Sequence, residues 1–232
     1  KAFRALAFGS HPYGSDPSGT EASVQALTRD DIVAAHRATL ARDRVLVAAS
    51  GDITAAELGP MLDRLLGDLP QTGAALPGRA PMDLTGGITI VPFPGPQSTV
   101  VFGHAGIKRD DPDFFAATIL NEILGGGRFS ARLITEVREK RGLTYGIGTY
   151  LAGYDLAEAV MGQFSSANGT VAQAIDVIRN EWRKIATDGV TEAELAATKT
   201  YLTGSYPLRF DGNGPIASIL VGMQSIGLTS DY

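Results

Sequence analysis

The sequence predicts an α+β fold in which helices pack on one face of an antiparallel sheet. Two observations support this prediction. From about residue 87 onward the order along the chain is two strands, two helices, two strands and then helices, a grouping typical of α+β units. The helical segments also carry apolar residues at helical spacing along one side, which indicates that each helix packs on a neighbouring layer.

The composition is that of an ordinary folded protein. Of the 232 residues, 44% are hydrophobic and 19% are charged, and no apolar run is long enough to cross a bilayer. A net charge of −5, with both signs mixed along the chain, argues against a nucleic-acid partner. The absence of cysteine excludes disulfides, thiolate metal sites and cysteine nucleophiles. We therefore expect neither nucleic acid nor a membrane among the partners.

The first fifty residues predict a loop, a helix and a strand. Ser10–Gly19 is dense in turn-forming residues and is expected to be irregular. Thr28 is a good N-cap for a helix over residues 30–40. Arg44–Ser50 has the composition of a short buried strand.

A capping box predicts the start of the next helix. Thr54 and Glu57 have the spacing at which each side chain satisfies a free backbone N–H of the first turn. This helix is expected to bury one apolar face, formed by Leu58, Met61, Leu62 and Leu65. Residues 71–81 then show no periodicity and are rich in proline and glycine, so they are predicted to be a linker.

The second part of the chain opens with two predicted strands, Ile88–Val91 and Ser98–Gly103. A helix over residues 111–124 follows and ends at three glycines, residues 125–127. These glycines lack the spacing of a phosphate-binding loop, so we interpret them as a tight connection that lets two helices pack closely. The next helix is predicted over Phe129–Lys140.

That helix has an apolar face and a clear end. Gly142 is predicted to be its C-cap, and strands are expected near Thr144–Tyr150 and Ala157–Phe164. The inner face of the helix is formed by Phe129, Leu133, Ile134 and Val137.

Helices complete the chain. A long helix begins at Asn168 or Thr170, and a second capping box, Thr191 with Glu194, starts another. A further helix is predicted over residues 215–226. The inner face of the long helix is formed by Val171, Ile175, Ile178, Trp182 and Ile185.

No metal site and no catalytic nucleophile are predicted within the chain. His11, His36 and His104 are widely separated, and none begins an H-E-x-x-H or H-x-x-E-H motif. No Gly-x-Ser-x-Gly elbow is present either. We therefore expect this chain to supply no catalytic residue, no metal ligand and no cofactor of its own.

The segment Arg138-Glu-Lys-Arg-Gly-Leu-Thr-Tyr145 carries the most functional information. Arginine offers a planar fork of hydrogen-bond donors and tyrosine adds a hydroxyl, which together suit a peptide backbone or a developing oxyanion. On spacing alone, a structural interpretation is favoured, in which a charge cluster ends a helix and a half-buried tyrosine begins a strand.

This segment closely resembles the R-x-x-x-x-x-x-Y element of the pitrilysin/insulinase family of zinc metallopeptidases, which includes mitochondrial processing peptidase. Phe129-Ser-Ala-Arg-Leu133 resembles the family's lead-in after a glycine-rich helix break. His11-Pro-Tyr-Gly14 and Leu27-Thr-Arg-Asp30 resemble a loop and a helix start of the first family domain, and Val47–Asp52 resembles the strand that closes it. The resemblance spans essentially the whole chain.

The resemblance implies a LuxS/MPP-like metallohydrolase fold with two homologous domains, of which this chain is a fragment. Residues 1–70 would be the C-terminal part of the first domain, residues 71–81 a linker, and residues 82–232 most of the second, inactive, substrate-binding domain. The zinc ligands of the family, H-x-x-E-H and a downstream glutamate, would precede Lys1. Zinc is therefore expected in the complete enzyme or in a partner subunit.

Carried over from the family, Arg138 and Tyr145 would bind a peptide substrate held at the zinc of another domain or subunit. Bacterial members often occur as pairs, and this sequence resembles the subunit that keeps the Arg/Tyr element without the zinc motif. The resemblance thus implies a zinc-motif-bearing homologous partner or self-association, and it favours the periplasm over the cytoplasm.

The expected function is the substrate-binding portion of a zinc metalloendopeptidase that acts on peptides or unfolded protein segments. The alternative is a non-catalytic structural member of the same fold, as in core subunits of respiratory complexes. The presence of both Arg138 and Tyr145 argues for the first. A third interpretation, an unrelated α+β ligand-binding domain, requires every family match to be accidental.

Overall fold

The computed structural model describes residues 1–229 and 231, and over these residues helices combine with one antiparallel sheet, as the predicted α+β class requires. The strands are β1 Gln97–Ala105, β2 Ile147–Tyr154 and β3 Ala157–Ala167. The helices are α1 Ala2–Phe8, α2 Glu21–Gln25, α3 Arg29–Thr39, α4 Ala55–Leu66, α5 Phe114–Leu124, α6 Val171–Asp188, α7 Glu192–Ser205 and α8 Asn213–Ser225, with a π-helix at Ile134–Glu139. Short 3₁₀ turns lie at Pro12–Gly14, Arg42–Arg44 and Tyr206–Phe210.

The chain divides into two compact units. One, here called the sheet unit, comprises residues 1–15 and 79–203; the other, the helical unit, comprises residues 16–78 and the chain from Gly204 onward. These units are groups of residues in mutual contact and do not test the predicted pair of homologous domains, which stays a prediction. Residues 71–81 form neither helix nor strand, and the predicted linker likewise stays a prediction.

The strand order in the sheet is β1-β3-β2, with all neighbours antiparallel. Gln97 pairs with Ala167 at one end of β1, and Ile147 pairs with Phe164 at the start of β2. The predicted strands Ser98–Gly103 and Ala157–Phe164 are confirmed and extended. The strand predicted from Thr144 begins only at Ile147, so Tyr145 lies in a bend before β2 rather than in the strand.

The main core lies between one face of the sheet and the helices packed on it. Phe164 and Ile147 contribute from the sheet, and Trp182 of α6 packs edge-on against Phe102 with ring centroids 5.8 Å apart. The inner face predicted for the long helix is confirmed, since Ile178 is buried and the other members pack against the same cluster. The helical contribution to the core consists of Ile123, Leu124, Leu133, Ile134, Val137, Ala174, Ile178 and Ile185.

A second, smaller cluster forms around α1, which the sequence did not predict. Phe8 is almost fully buried, and its ring meets those of Tyr13 and Tyr154 edge-on, each at 5.6 Å. The helix has only seven residues and no side-chain cap, so it carries none of the local start signals. Its burial against other residues of the sheet unit stabilises the helix instead.

The helix predicted over Phe129–Lys140 is shorter and wider than expected. It is a π-helix in which Lys140 N–H donates to Thr135 O, five residues back, at 3.0 Å. Leu133 and Val137 are buried as predicted, but Phe129 precedes the helix and is 71% exposed, because the chain turns after the glycines before the helix starts. The helix ends earlier than predicted, with Lys140 as its C-cap, and Gly142 lies two residues beyond it, where a φ of +61° reverses the chain.

The second predicted capping box is present and has an additional partner. Glu194 accepts hydrogen bonds from the backbone N–H and the hydroxyl of Thr191 at 2.8 and 2.9 Å. Arg132, at the start of the π-helix turn, donates to both Glu194 oxygens at 2.6 and 2.7 Å. Hydrogen bonding to Arg132 above all lowers the pKa of Glu194 from 4.5 to about 2. This bidentate pair ties the π-helix to α7.

Two strand predictions are wrong. Within the described residues, neither Arg44–Ser50 nor Ile88–Val91 pairs with a neighbouring strand, and a β-type run without a partner cannot satisfy its backbone groups as a sheet does. Arg44 belongs to a 3₁₀ turn, and Val47 O accepts a hydrogen bond from the Gln224 side chain at 3.0 Å. Ile88–Val91 is exposed.

The apolar face of α4 is only partly buried. The Thr54–Glu57 capping box is confirmed, with Glu57 N–H donating to the Thr54 hydroxyl at 3.3 Å. Met61 and Leu65 are nevertheless exposed, Leu65 by 75%, because no described residue covers that side of the helix. Leu58 and Leu62 are half-buried, so the predicted burial is wrong for Met61 and Leu65 and incomplete for the other two.

Removing the Glu194 carboxylate is expected to destabilise the sheet unit in a pH-dependent way. The folded-state pKa of about 2 lies below the ordinary 4.5, so ionised Glu194 stabilises fully above about pH 4.5 and progressively less as the pH falls toward 2. The side chain is 30% exposed, which screens part of this effect. We expect Glu194→Gln to lower the free energy of unfolding by about 1–2 kcal/mol at pH 7 and by much less near pH 2.5.

Urea titration followed by Trp182 fluorescence measures this effect, because the single tryptophan lies within the sheet unit. Glu192→Gln, in the same helical turn, removes an equal charge and is expected to cost less than about 0.5 kcal/mol. An equal loss for Glu194→Gln at both pH values would contradict the assignment.

Candidate functional site

A cleft of about 620 Å³ is lined largely by the face of the sheet that alternates away from the main core, and it also reaches the core residues Ile147 and Phe164. Strand alternation and cross-strand pairing bring Thr99, Gln163 and Ser165 to that face, with Thr99 and Ser165 directly opposite each other. Their hydroxyl oxygens are 3.1 Å apart. The remaining lining comes from Gln97 of β1 and Phe164 of β3, from the segment before β2, from β2 itself and from the glycines after α5.

Tyr145 lines this cleft and is 92% exposed. The backbone on either side of it is fixed by hydrogen bonds. The Thr144 hydroxyl donates to Ser165 O at 2.7 Å and accepts from Gly146 N–H at 3.2 Å, and the Ser166 hydroxyl donates to Leu143 O at 2.6 Å. The tyrosine ring therefore extends into solvent from a rigid base.

Arg138 lies in the π-helix and is half-buried, but it does not line the cleft. Its guanidinium carbon lies 5.2 Å from the centroid of the Phe129 ring, a cation–π contact. Among the described residues, the guanidinium makes no hydrogen bond or ion pair. Phe129 follows Gly127, which lines the cleft, by two residues. The structure thus brings Tyr145 into the cleft and Arg138 next to a loop that borders it.

Gly125 permits the closest backbone approach at the edge of the cleft. Its carbonyl accepts from Thr149 N–H at 2.6 Å. A Cβ at this position would lie 2.5 Å from Thr149 Oγ1 and 3.0 Å from Leu133 Cδ1. The predicted close packing after the glycines is therefore real for Leu133 of the next helix, and it also involves strand β2, which the sequence did not indicate.

Arg128 fixes the far end of this glycine-containing loop. Its Nη2 donates to the hydroxyl of fully buried Thr198 at 2.6 Å, and its guanidinium lies 5.1 Å from the Tyr201 ring centroid. Both partners belong to α7. Neither Arg128 nor the cleft residues of β3 were singled out from the sequence, because their partners are distant in the chain.

The histidines do not form a metal site. His11 Nδ1 accepts from Tyr13 N–H at 3.1 Å, and His104 Nδ1 lies 2.7 Å from Ala105 O. Over residues 1–229 and 231, no three histidine or acidic side chains are grouped so that they could hold a metal ion. The donors in the described part of the chain therefore do not fit zinc. In the same residues no helix combines the length and apolar character needed to span a membrane.

Comparison with known sequences identifies one family. Residues 26–202 match the family described as the peptidase M16 inactive domain. The chain is 31% identical over 206 residues to an uncharacterized zinc protease of Mycobacterium leprae, an alignment that covers 87% of this chain and 46% of that protein. It is also 24% identical over 203 residues to a non-peptidase homolog of Helicobacter pylori, covering 87% and 47%.

A solved structure is similar over nearly the whole chain. It is the peptidase M16 inactive domain from Pseudomonas fluorescens, with a TM-score of 0.88 and 28% identity, covering 98% of this chain and 54% of that one. The chain spans about half the length of the relatives it matches.

The contact between Gly125 and Thr149 predicts a strong effect of one added methyl group. We expect Gly125→Ala to lower the free energy of unfolding by about 1–3 kcal/mol, since the new Cβ would overlap Thr149 and press on Leu133. Gly127→Ala is the matched control, because no atom lies within 4 Å of the position that a Cβ would take there. Trp182 fluorescence during urea titration measures both, and similar losses for the two variants would count against the close approach.

Proposed function

Since the chain belongs to the peptidase M16 inactive domain family, as its resemblance to pitrilysin/insulinase-type metallopeptidases implied, we propose that it is the substrate-binding portion of a zinc-dependent metalloendopeptidase. It would hold peptides or unfolded protein segments for cleavage. The observation that carries the proposal is Tyr145, an aromatic side chain 92% exposed beside a cleft on a backbone held by hydrogen bonds.

An exposed tyrosine on a rigid backbone is suited to binding. At 92% exposure its ring contributes little to the stability of the fold. Its two side-chain torsions cost little entropy when they are fixed by a ligand, and the ring offers a large contact area with a hydroxyl at its tip. These properties support a role in contacting an incoming peptide.

The contact between Arg138 and Phe129 supports the same role for the arginine. The cation–π contact holds the guanidinium against the Phe129 ring without engaging its N–H donors. Those donors stay available for a peptide carbonyl or for the negative charge that develops on it during hydrolysis. Arg138 and Tyr145 would therefore bind and orient the substrate; neither is assigned a proton transfer.

The proposal assigns zinc to another domain of the parent protein or to a homologous partner subunit, because the donors in the described part of this chain do not form a zinc site. Bound there, zinc would supply the activated water of a metallopeptidase. This chain would supply the opposite wall, which holds the peptide in a productive position. Pairing with a zinc-motif-bearing subunit is part of the proposal.

A second candidate function is a non-catalytic structural role within the same fold family. The name of one matched relative, a non-peptidase homolog of Helicobacter pylori, favours keeping this candidate. The two candidates differ in one respect that can be measured. A structural subunit needs neither the exposed ring of Tyr145 nor the available donors of Arg138.

The proposal predicts how activity divides between this chain and its partner. Alone, the chain is expected to bind no zinc stoichiometrically and to leave an unstructured peptide uncleaved. The intact parent mixed with the zinc-motif subunit from the same source is expected to cleave it. Metal analysis and chromatography of the peptide products measure both. Stoichiometric zinc together with cleavage by the chain alone would overturn the proposal.

The substrate-binding roles predict the effect of two substitutions in the active assembly. Arg138→Ala and Tyr145→Phe should each lower turnover by about a hundredfold if the lost donor contacts the developing oxyanion. Arg138→Lys, which keeps the charge but loses the planar fork, should fall in between. Stability should change by less than about 0.5 kcal/mol, as measured by urea titration.

Matched controls come from exposed residues elsewhere in the chain. Arg179→Ala on α6 and Tyr206→Phe remove the same chemical groups and should leave turnover unchanged. Unchanged turnover for Arg138→Ala as well would favour the structural candidate.

A further inference from the structure

None of the described residues that line the cleft carries a formal charge. By comparison, 19% of the residues in the whole sequence are charged. The sheet unit does bring charges to a concave surface elsewhere. A smaller concavity of about 220 Å³ is lined by Arg141, Arg183 and Lys184 together with Glu181. The cleft that holds Tyr145 thus differs in charge from this second concavity.

We propose that this cleft selects an extended polypeptide segment whose residues are uncharged. The inference rests on the proposed substrate-binding function and narrows it to one class of substrate. The side chains that would meet the segment are polar but neutral, namely Gln97, Thr99, Gln163 and Ser165, with the rings of Tyr145 and Tyr150 beside them.

The neutral polar groups are suited to peptide backbone and to small polar side chains. Amide and hydroxyl groups both donate and accept hydrogen bonds, so Gln163 and Ser165 can pair with either half of a peptide unit. Gly148, directly opposite Gln163 on the neighbouring strand, has no side chain to occupy the floor. The lining crosses all three strands, and at the usual strand spacing its width is roughly 10 Å. This width accommodates about three residues of an extended peptide.

A charged substrate residue that loses water in this cleft would find no opposite charge among the lining residues. Desolvating an ion without a partner is costly, whereas a neutral residue avoids this cost. Arg138 lies on Phe129 at the border of the cleft, so its charge is outside the lining that a segment seated in the cleft would meet. The cleft therefore discriminates against both lysine and glutamate. The discrimination results from the absence of charged side chains in its lining.

Binding of three matched peptides to the 232-residue chain tests the inference. One peptide is unstructured and neutral. The other two have the same sequence except that three consecutive central residues are replaced by glutamates in one and by lysines in the other. Fluorescence anisotropy of the labelled peptides gives the dissociation constants. We expect the neutral peptide to bind at least about tenfold more tightly than either charged one.

Placing a charge in the cleft should change the preference in a defined direction. Gln163 is exposed, so Gln163→Glu and Gln163→Lys should fold normally. The glutamate variant should prefer the lysine peptide, and the lysine variant should prefer the glutamate peptide. Gln173→Glu and Gln173→Lys, on the exposed side of α6, change the net charge equally and should leave the order of affinities unaltered.

The outcomes separate this inference from the function on which it rests. If all three peptides bind with equal affinity and Tyr145→Ala weakens all of them, the substrate-binding function stands and the selection for uncharged segments is wrong. If none of the peptides binds, both are wrong. Preference for the neutral peptide, inverted by the Gln163 variants and not by the Gln173 variants, supports both.

Discussion

The left-handed backbone at Gly142 is the constraint on which the site depends. With φ at +61°, it reverses the chain between the π-helix and β2 within a few residues. Leu143 can then enter the core while its carbonyl accepts from Ser166, and Thr144 joins β3 through Ser165. Tyr145 is next along the chain, and its side chain is exposed to solvent. The exposed ring thus results from how tightly its neighbours are held.

The π-helix and its attachment to α7 determine where the arginine lies. The wider hydrogen-bonding pattern places Leu133 and Val137 in the core, while Arg138 emerges over Phe129. Arg132 holds the beginning of this helix to Glu194, and Arg128 holds the preceding loop to Thr198. Two arginines with structural partners therefore support a third whose donors remain available.

Local signals in the sequence were reliable, and long-range pairing was not. The Thr54–Glu57 and Thr191–Glu194 capping boxes and the turn at Gly142 depend on residues a few positions apart, and all three were predicted. Arg44–Ser50 has the composition of a strand, but a strand needs a partner that composition cannot supply. The cleft could not be predicted, since its lining comes from four separated segments brought together by the sheet register. Arg138 and Tyr145 were proposed as substrate-binding residues through a family motif, and only Tyr145 lines the cleft, whereas the lining residues Gln163 and Thr149 carry no local signal.

The neutral wall of the cleft also has a kinetic consequence. Without charges to attract a peptide from a distance, association would proceed at the rate of unsteered encounters, about 10⁵–10⁶ M⁻¹ s⁻¹. The lining itself would add little dependence on ionic strength, because it carries no charge for salt to screen. It would therefore not favour the arrival of one polypeptide sequence over another. The chain would distinguish polypeptide segments by residence time, releasing charged segments quickly and retaining neutral ones long enough to be cut.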